Sequence, residues 1–267
     1  MADVFDPLTT YNTASDSYSD IRERRAPFCL DEVTNHLRIQ PGDHVLDVAC
    51  GPGGVALRAA RQAGPGGRVI GCDISDQMRE AARRRAHELK LDNVSFEYAD
   101  IDRLPYTPGT FDAVSCSLGV FFSQQIVAAI SSLHRLLKPG GRLAISTLGH
   151  NLFTPASGLF LDLAQAHMPG LAIDLPWKKT EDLTTLRTLV EEAGVAGAEF
   201  LQAAYATRLS DATDIWQIMM GTGLRNIAMR MDEKALHRVR RDLEGWLGSN
   251  GIRQLTTTVN YVVCERR

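Results

Sequence analysis

The stretch Val45-Leu46-Asp47-Val48-Ala49-Cys50-Gly51-Pro52-Gly53-Gly54 decides the fold. Its apolar half reads as a buried strand, its glycines as a tight turn and residues 55–61 as a helix, an order that presents free backbone N–H groups to a ligand. Gly51, Gly53 and Gly54 remove the Cβ atoms that would block a close approach, and Pro52 fixes one dihedral of the turn. The glycine order is not the G-x-G-x-x-G of a dinucleotide site, and Asp47 stands where a pyrophosphate would be repelled. A ligand with a cationic end fits the turn better.

Outward from this turn, strands and helices alternate. Residues 68–73 read as a second strand ending in Asp73, and Ser75 then caps a helix with Asp76 in its first turn and Met78, Ala81, Ala82 and Ala86 on its apolar side. Residues 94–98, 111–116 and 141–148 read as three more strands. Between the last two, Ile126, Ile130, Leu133 and Leu137 recur at helical spacing until Lys138-Pro139-Gly140-Gly141 stops the helix. This alternation predicts an α/β fold with a parallel sheet covered on both faces. Residues 1–40 form a lead-in with a helix at 28–37, and 41–267 form the main domain. Within it, residues 149–179 have a helix candidate at 159–166 but no strand partner, and are expected over the sheet's carboxyl edge. Thr180 is expected to cap the next helix, with Glu181 and Asp182 in its first turn. Two β-rich runs, 198–209 and 254–264, flank residues 210–250, whose Leu236, Val239, Leu243 and Trp246 share one helical face. That separation rules out a tight hairpin and predicts a second inserted cap.

Composition narrows the partners. A formal charge of −3 and the absence of a dense Lys/Arg block argue against nucleic acid and against an anionic membrane, and Arg22–Arg25 and Arg83–Arg85 read as solvated helix faces. No apolar run approaches the length of about eighteen residues that a membrane span requires, and the opening M-A-D-V-F-D lacks signal-peptide character, so a cytoplasmic protein is expected. Five cysteines without a C-x-x-C pair indicate neither a disulfide framework nor a zinc site, and no His, Asp, Glu and Cys set has metal-ligand spacing.

Five segments together, V-L-D-V-A-C-G-P-G-G, V-I-G-C-D-I-S, E-Y-A-D-I-D-R-L-P-Y, F-D-A-V-S-C-S-L-G-V-F-F and L-L-K-P-G-G-R-L, resemble a class I S-adenosylmethionine-dependent methyltransferase of the ubiquinone/menaquinone-biosynthesis-like group that acts on small molecules. The likeness spans roughly residues 10–148. It implies a Rossmann-like three-layer sandwich with a seven-stranded, mostly parallel sheet, whose last strand, here 254–264, inserts antiparallel beside the fifth. It implies S-adenosylmethionine as cofactor, with Asp73 accepting from the ribose diol, Asp47 and the Ala49 carbonyl facing the methionine ammonium, and Gly51 and Gly53 beside the tail and ribose. Asp100 and Ile101 match the pair that holds adenine, Ile74 and Met78 pack on the nucleoside, Ser117 faces the methionine portion, and Tyr18 of Ala14-Ser15-Asp16-Ser17-Tyr18, a segment similar to the family's N-terminal A-x-x-Y, reaches the cofactor carboxylate. Ser132 replaces a glutamate common in the family before L-K-P-G-G.

The acceptor is expected among cap residues. Phe153, Trp177, Tyr205, Trp216 and Met219 are apolar or aromatic candidates for its pocket, although such residues also build ordinary cores. His150 follows the fifth strand at the edge where ligands bind and is the candidate general base. The expected reaction is methyl transfer to an oxygen or activated carbon of a small, partly apolar metabolite. The alternatives are a non-catalytic S-adenosylmethionine-binding protein and a nicotinamide-dependent oxidoreductase, which Asp47 and the glycine spacing disfavour.

Overall fold

Parallel strands need long crossovers, and in this chain all but one of them, residues 99–110, carry a helix. A computed structural model describes residues 5–13, 18, 21 and 28–267; the Arg22–Arg25 run and residues 14–17 of the Ala14–Tyr18 segment lie outside the described residues. The sheet has seven strands in the order β3-β2-β1-β4-β5-β7-β6. They are β1 (His44–Val48), β2 (Arg68–Asp73), β3 (Val94–Tyr98), β4 (Phe111–Ser117), β5 (Leu137–Leu148), β6 (Glu199–Arg208) and β7 (Gln254–Glu265). The first five run parallel, and β7 pairs antiparallel with both β5 and β6.

Helices cover both faces, as sheets buried on two sides require. On one face lie α2 (Phe28–Leu37), α3 (Gly54–Ala63) and α4 (Asp76–Glu88), whose Val33, Leu37, Leu57 and Ala82 join Val45 and Val69 in one core. On the other lie α5 (Ile126–Leu136) and α7 (Leu183–Glu192), which pack Ile130, Leu133, Leu186 and Val190 on Leu46, Val114 and Ile145. A third core stands beyond the carboxyl edge. There α6 (Ala156–His167), α8 (Asp214–Met220), α9 (Arg225–Met229) and α10 (Glu233–Ser249) bury Phe160, Ile218, Ile227 and Leu243 against Leu148 and Leu152.

Four local readings are corrected. Asp182, not Thr180, caps α7: its carboxylate accepts from the Thr185 N–H at 2.8 Å, while Thr180 closes a buried 3₁₀ turn at Pro176–Thr180. The fifth strand starts at Leu137 rather than Gly141, because a register shift between Phe111 and Ala113 lets the Lys138–Gly141 turn stay in the sheet. The stripe of α10 is Ala235, Val239, Leu243 and Leu247, spaced by four throughout, which leaves Trp246 39% exposed. Finally, the 149–179 segment makes one isolated bridge, Thr154 to Thr256.

The short α1 (Pro7–Asn12) ties cap to sheet. Asn226 Nδ2 donates to Thr10 Oγ1 at 3.2 Å and Arg225 Nε to Thr13 Oγ1 at 3.2 Å, while Ser75 Oγ meets Asn12 Oδ1 at 2.5 Å.

Candidate cofactor and acceptor site

The turn after β1 places Ala49 (φ 53°), Gly51 (φ 53°) and Gly53 (φ 82°) in the left-handed region. Gly53 takes up a second role, since a Cβ there would stand 3.1 Å from both Ala82 and Phe96 and part α3 from its neighbours. It does not line the main cavity. Asp47 also lies beneath it, 1% exposed, accepting from the Ala56 N–H at 3.1 Å and from Ser115 Oγ at 2.7 Å. Its carboxylate opens on a recess of about 30 Å³ that shares Tyr18, Ala49, Gly51 and Ser117 with the main cavity. Burial pushes Asp47 up to about 7, against its two hydrogen bonds, and the nearby Asp73 charge adds to the rise.

The main cavity of the candidate site, about 240 Å³, opens where the β1, β2, β3 and β4 strands end. It gathers nine of the eleven residues singled out for the cofactor: Tyr18, Ala49, Gly51, Asp73, Ile74, Met78, Asp100, Ile101 and Ser117. Asp73 is held from both sides, Oδ2 accepting from the Gly51 N–H and Oδ1 from the Ser75 N–H, each at 2.9 Å. Each oxygen keeps a lone pair for a ligand hydroxyl. Burial raises the Asp73 pKa above its usual value, and the two N–H bonds oppose that rise. Asp100 Oδ1 accepts from the Asp102 N–H at 2.9 Å, and Asp102 in turn accepts from Ser123 Oγ and the Gln124 N–H, which closes the loop after β4 over the cavity. Three carboxylates and no Lys, Arg or His line it among the described residues. That lining suits a cationic ligand with a diol and repels a dinucleotide pyrophosphate.

A narrower chamber of about 50 Å³ adjoins the cavity and shares Tyr11, Tyr18 and Leu118 with it. Phe153 and Trp177 line this chamber; Tyr205, Trp216 and Met219 do not. Tyr205 sits on β6, away from the cap, with its phenol 2.9 Å from that of Tyr261. Trp216 packs edge-on to Phe160 with Arg240 over its ring, and Met219 is fully buried in the cap core. His150 is at the sheet's carboxyl edge but 61% exposed, its ring 3.6 Å from both Glu181 and Asp182, and it lines neither cavity. His167 pairs with Asp242 at 2.8 Å between α6 and α10. Among the described residues no group of three His, Cys, Asp or Glu is placed to hold a metal ion.

Several site residues carried no sequence signal of their own. Ser115 is found only through the β1–β4 register, which sets it opposite Asp47. Gly119 is another: a Cβ there would stand 2.6 Å from the Ala49 Cβ, so its absence lets two of the loops framing the cavity touch. Ala49, Leu118 and Phe153 are non-glycine residues at φ of 53°, 54° and 49°, and all three line the cavities, a concentration of backbone strain typical of ligand sites.

Residues 45–141 match a family model described as a methyltransferase domain. A demethylmenaquinone methyltransferase from Symbiobacterium thermophilum is 40% identical over 112 residues, covering 42% of this chain and 45% of the relative. A 2-phytyl-1,4-naphtoquinone methyltransferase from Nostoc is 38% identical over 107 residues, 40% of this chain and 47% of the relative. The match therefore spans less than half the length of each curated relative. The solved structure of the Bacillus YcgJ protein superposes with a TM-score of 0.62 at 19% identity, over 90% of this chain and 99% of that one, and shows the shared fold.

Proposed function

We propose that this protein, whose residues 45–141 match a methyltransferase-domain model and are similar to quinone methyltransferases, is a class I S-adenosylmethionine-dependent methyltransferase that binds S-adenosylmethionine and methylates an oxygen or activated carbon of a small, partly apolar acceptor. The observation that carries the reading is the joining of two cavities of opposite character: a carboxylate-lined cleft at the glycine turn opens onto an apolar chamber at Tyr11, Tyr18 and Leu118. Asp73 would hold the ribose diol, Asp100 and Ile101 the adenine, with Ile74 and Met78 against the nucleoside. Ala49, Gly51, Ser117 and Tyr18 would surround the methionine portion, and Asp47, below them, would add negative charge. When bound, the cofactor supplies an electrophilic methyl group on a sulfonium.

The chain's own contribution is alignment and exclusion of water. Phe153 and Trp177, both buried, would seat the acceptor against the junction, and Tyr11 stacks edge-on to Phe122 and Tyr18 to close it from above. Orientation of this kind lowers a barrier by roughly 7–11 kcal/mol, which serves an acceptor that is already nucleophilic. A nicotinamide-dependent reaction is disfavoured by the carboxylate lining. Five buried cysteines, none in a disulfide among the described residues, support a reducing, cytoplasmic setting, and among the described residues no helix is long and apolar enough to cross a membrane.

Incubation with methyl-labelled cofactor and a metabolite extract tests the proposal. Label in a small organic product, with S-adenosylhomocysteine released in equal amount, is the expected result. Tight cofactor binding without any labelled product would favour the non-catalytic reading.

His150 gives a sharper check. A positioned base contributes roughly 10²–10⁴-fold, yet its ring is exposed, engaged by two carboxylates and outside both cavities. His150→Ala is expected to lower turnover less than about tenfold, with no change in the shape of the pH profile. A larger loss that shrinks at high pH would restore it as the base.

A further inference from the structure

We propose that β6 is a self-pairing edge: two copies of this chain join antiparallel along Glu199–Arg208, about a two-fold axis at Ala204, and merge their sheets into one. β6 closes the sheet, since its one neighbour is β7. Its ten residues match β7 one for one, from Glu199 opposite Val263 to Arg208 opposite Gln254, without a bulge. Leu209, the next residue on, donates its N–H to the Arg253 carbonyl at 2.9 Å. Alternation along an antiparallel ladder then turns the backbone N–H and C=O of Glu199, Leu201, Ala203, Tyr205 and Thr207 toward β7. Those of Phe200, Gln202, Ala204, Ala206 and Arg208 therefore point away from the sheet, and among the described residues no turn, loop or other strand bonds to them. Such a row is a template for another strand, ordinarily guarded by lysine, proline or a bulge. β6 has none of the three.

The edge also suits its own copy. The five outward residues are spaced evenly around Ala204, so a two-fold axis there sets Ala204 against Ala204, Gln202 against Ala206 and Phe200 against Arg208. Five pairs that exchange two bonds each give about ten, the complement of a typical protein interface. The centre is unobstructed, because Ala203, Ala204 and Ala206 carry only methyl groups. Charge sets the direction. Glu199 and Arg208 stand at opposite ends of the strand, so antiparallel pairing brings the acidic end of one copy beside the basic end of the other, whereas parallel pairing would set like on like. Leu201, a large apolar side chain left 41% exposed, falls across from Thr207 in the join and is covered. The candidate cofactor cleft lies among β1–β4, away from this edge, so the join is independent of the chemistry proposed above.

Sedimentation equilibrium of the full chain at tens of micromolar is expected to give a dimer. Ala204→Pro removes only an outward donor and leaves the β7 ladder whole, so it should weaken the dimer at least about tenfold with an unchanged circular-dichroism spectrum. Ala206→Lys, a charge on the same edge, should act in the same direction. Ala204→Cys tests the register: on the axis two such positions have Cα atoms about 5.5 Å apart, within disulfide reach, and mild oxidation should link most of the protein into covalent dimers. The five native thiols are buried and stay out of this reaction. Glu199→Cys, far from the axis, should not link. A monomer at these concentrations, a dimer that neither Ala204→Pro nor Ala206→Lys weakens, or equal cross-linking of Glu199→Cys and Ala204→Cys overturns the proposal.

Discussion

Asp73→Ala is expected to weaken S-adenosylhomocysteine binding by roughly 10²- to 10⁴-fold, because two charge-assisted hydrogen bonds to the ribose diol disappear, each worth about 1.5–3 kcal/mol. The carboxylate also organises its own surroundings. It accepts from the Gly51 and Ser75 N–H groups, so the alanine variant loosens the glycine turn and the start of α4 as well. Asp73→Asn keeps one acceptor and should fall between alanine and wild type. Calorimetric titration of each folded variant decides the matter, and an alanine variant with wild-type affinity would show that the diol lies elsewhere.

The second large effect is on stability against pH, with Asp47→Asn as the probe. Burial pushes Asp47 up from 3.8 to about 7, with the Asp73 charge acting in the same direction and the bonds from Ser115 and Ala56 acting against it. In the unfolded chain the group titrates near pH 4, so between about pH 4 and 7 only the folded protein still holds this proton. Its contribution is complete below about pH 4 and is lost as the pH rises through 7. At about 1.4 kcal/mol per pH unit, the change is on the order of a few kcal/mol. Asn is close in shape, and its carbonyl and amide can serve the Ala56 N–H and the Ser115 hydroxyl. The ligand-free variant should match wild type near pH 4 and exceed it by a few kcal/mol at pH 8. Urea unfolding at the two pH values measures this, and a wild-type slope retained in the variant would mean that other groups, Asp73 foremost, carry the pH dependence.

The cleft was more legible in sequence than the chamber, for physical reasons. A strand that ends at a glycine turn fixes where its backbone points, and an acidic residue closing the next parallel strand falls at the same sheet edge, so Asp73 and Gly51 could be placed from local pattern alone. Tyr205, Trp216 and Met219 could not, because an aromatic or methionine residue announces burial without saying against what. Tyr205 went to a tyrosine pair on the far strands, and Met219 to the core of the cap. Gly223, which lines the chamber, was invisible for the opposite reason: the space a side chain would take there is filled by the Trp177 indole, 46 positions earlier in the chain, a relation that only tertiary packing creates. The Asp182 cap was missed by two residues, where Thr180, Glu181 and Asp182 all offer an acceptor and only the backbone bond to Thr185 chooses among them.

A ribosome making this chain releases β1–β5, whose first four strands frame the candidate cofactor cleft, about a hundred residues before it releases β7. At about 5–20 residues per second the interval lasts several seconds. Throughout it the edge of β5 is bare and β6, which reaches the sheet only through β7, has nothing to pair with. Thr257, a wall residue of the chamber, is still inside the exit tunnel or not yet made. On the proposed methyl-transfer reading the nascent protein would be competent for cofactor before it is competent for acceptor, and cofactor taken up early would hold the half-built sheet together while its open edge is most exposed to mispairing. Released chains ending at residue 230 should therefore show S-adenosylhomocysteine-dependent protease protection over 44–148 and none over 199–225; equal protection of both segments would mean that the sheet closes by another route.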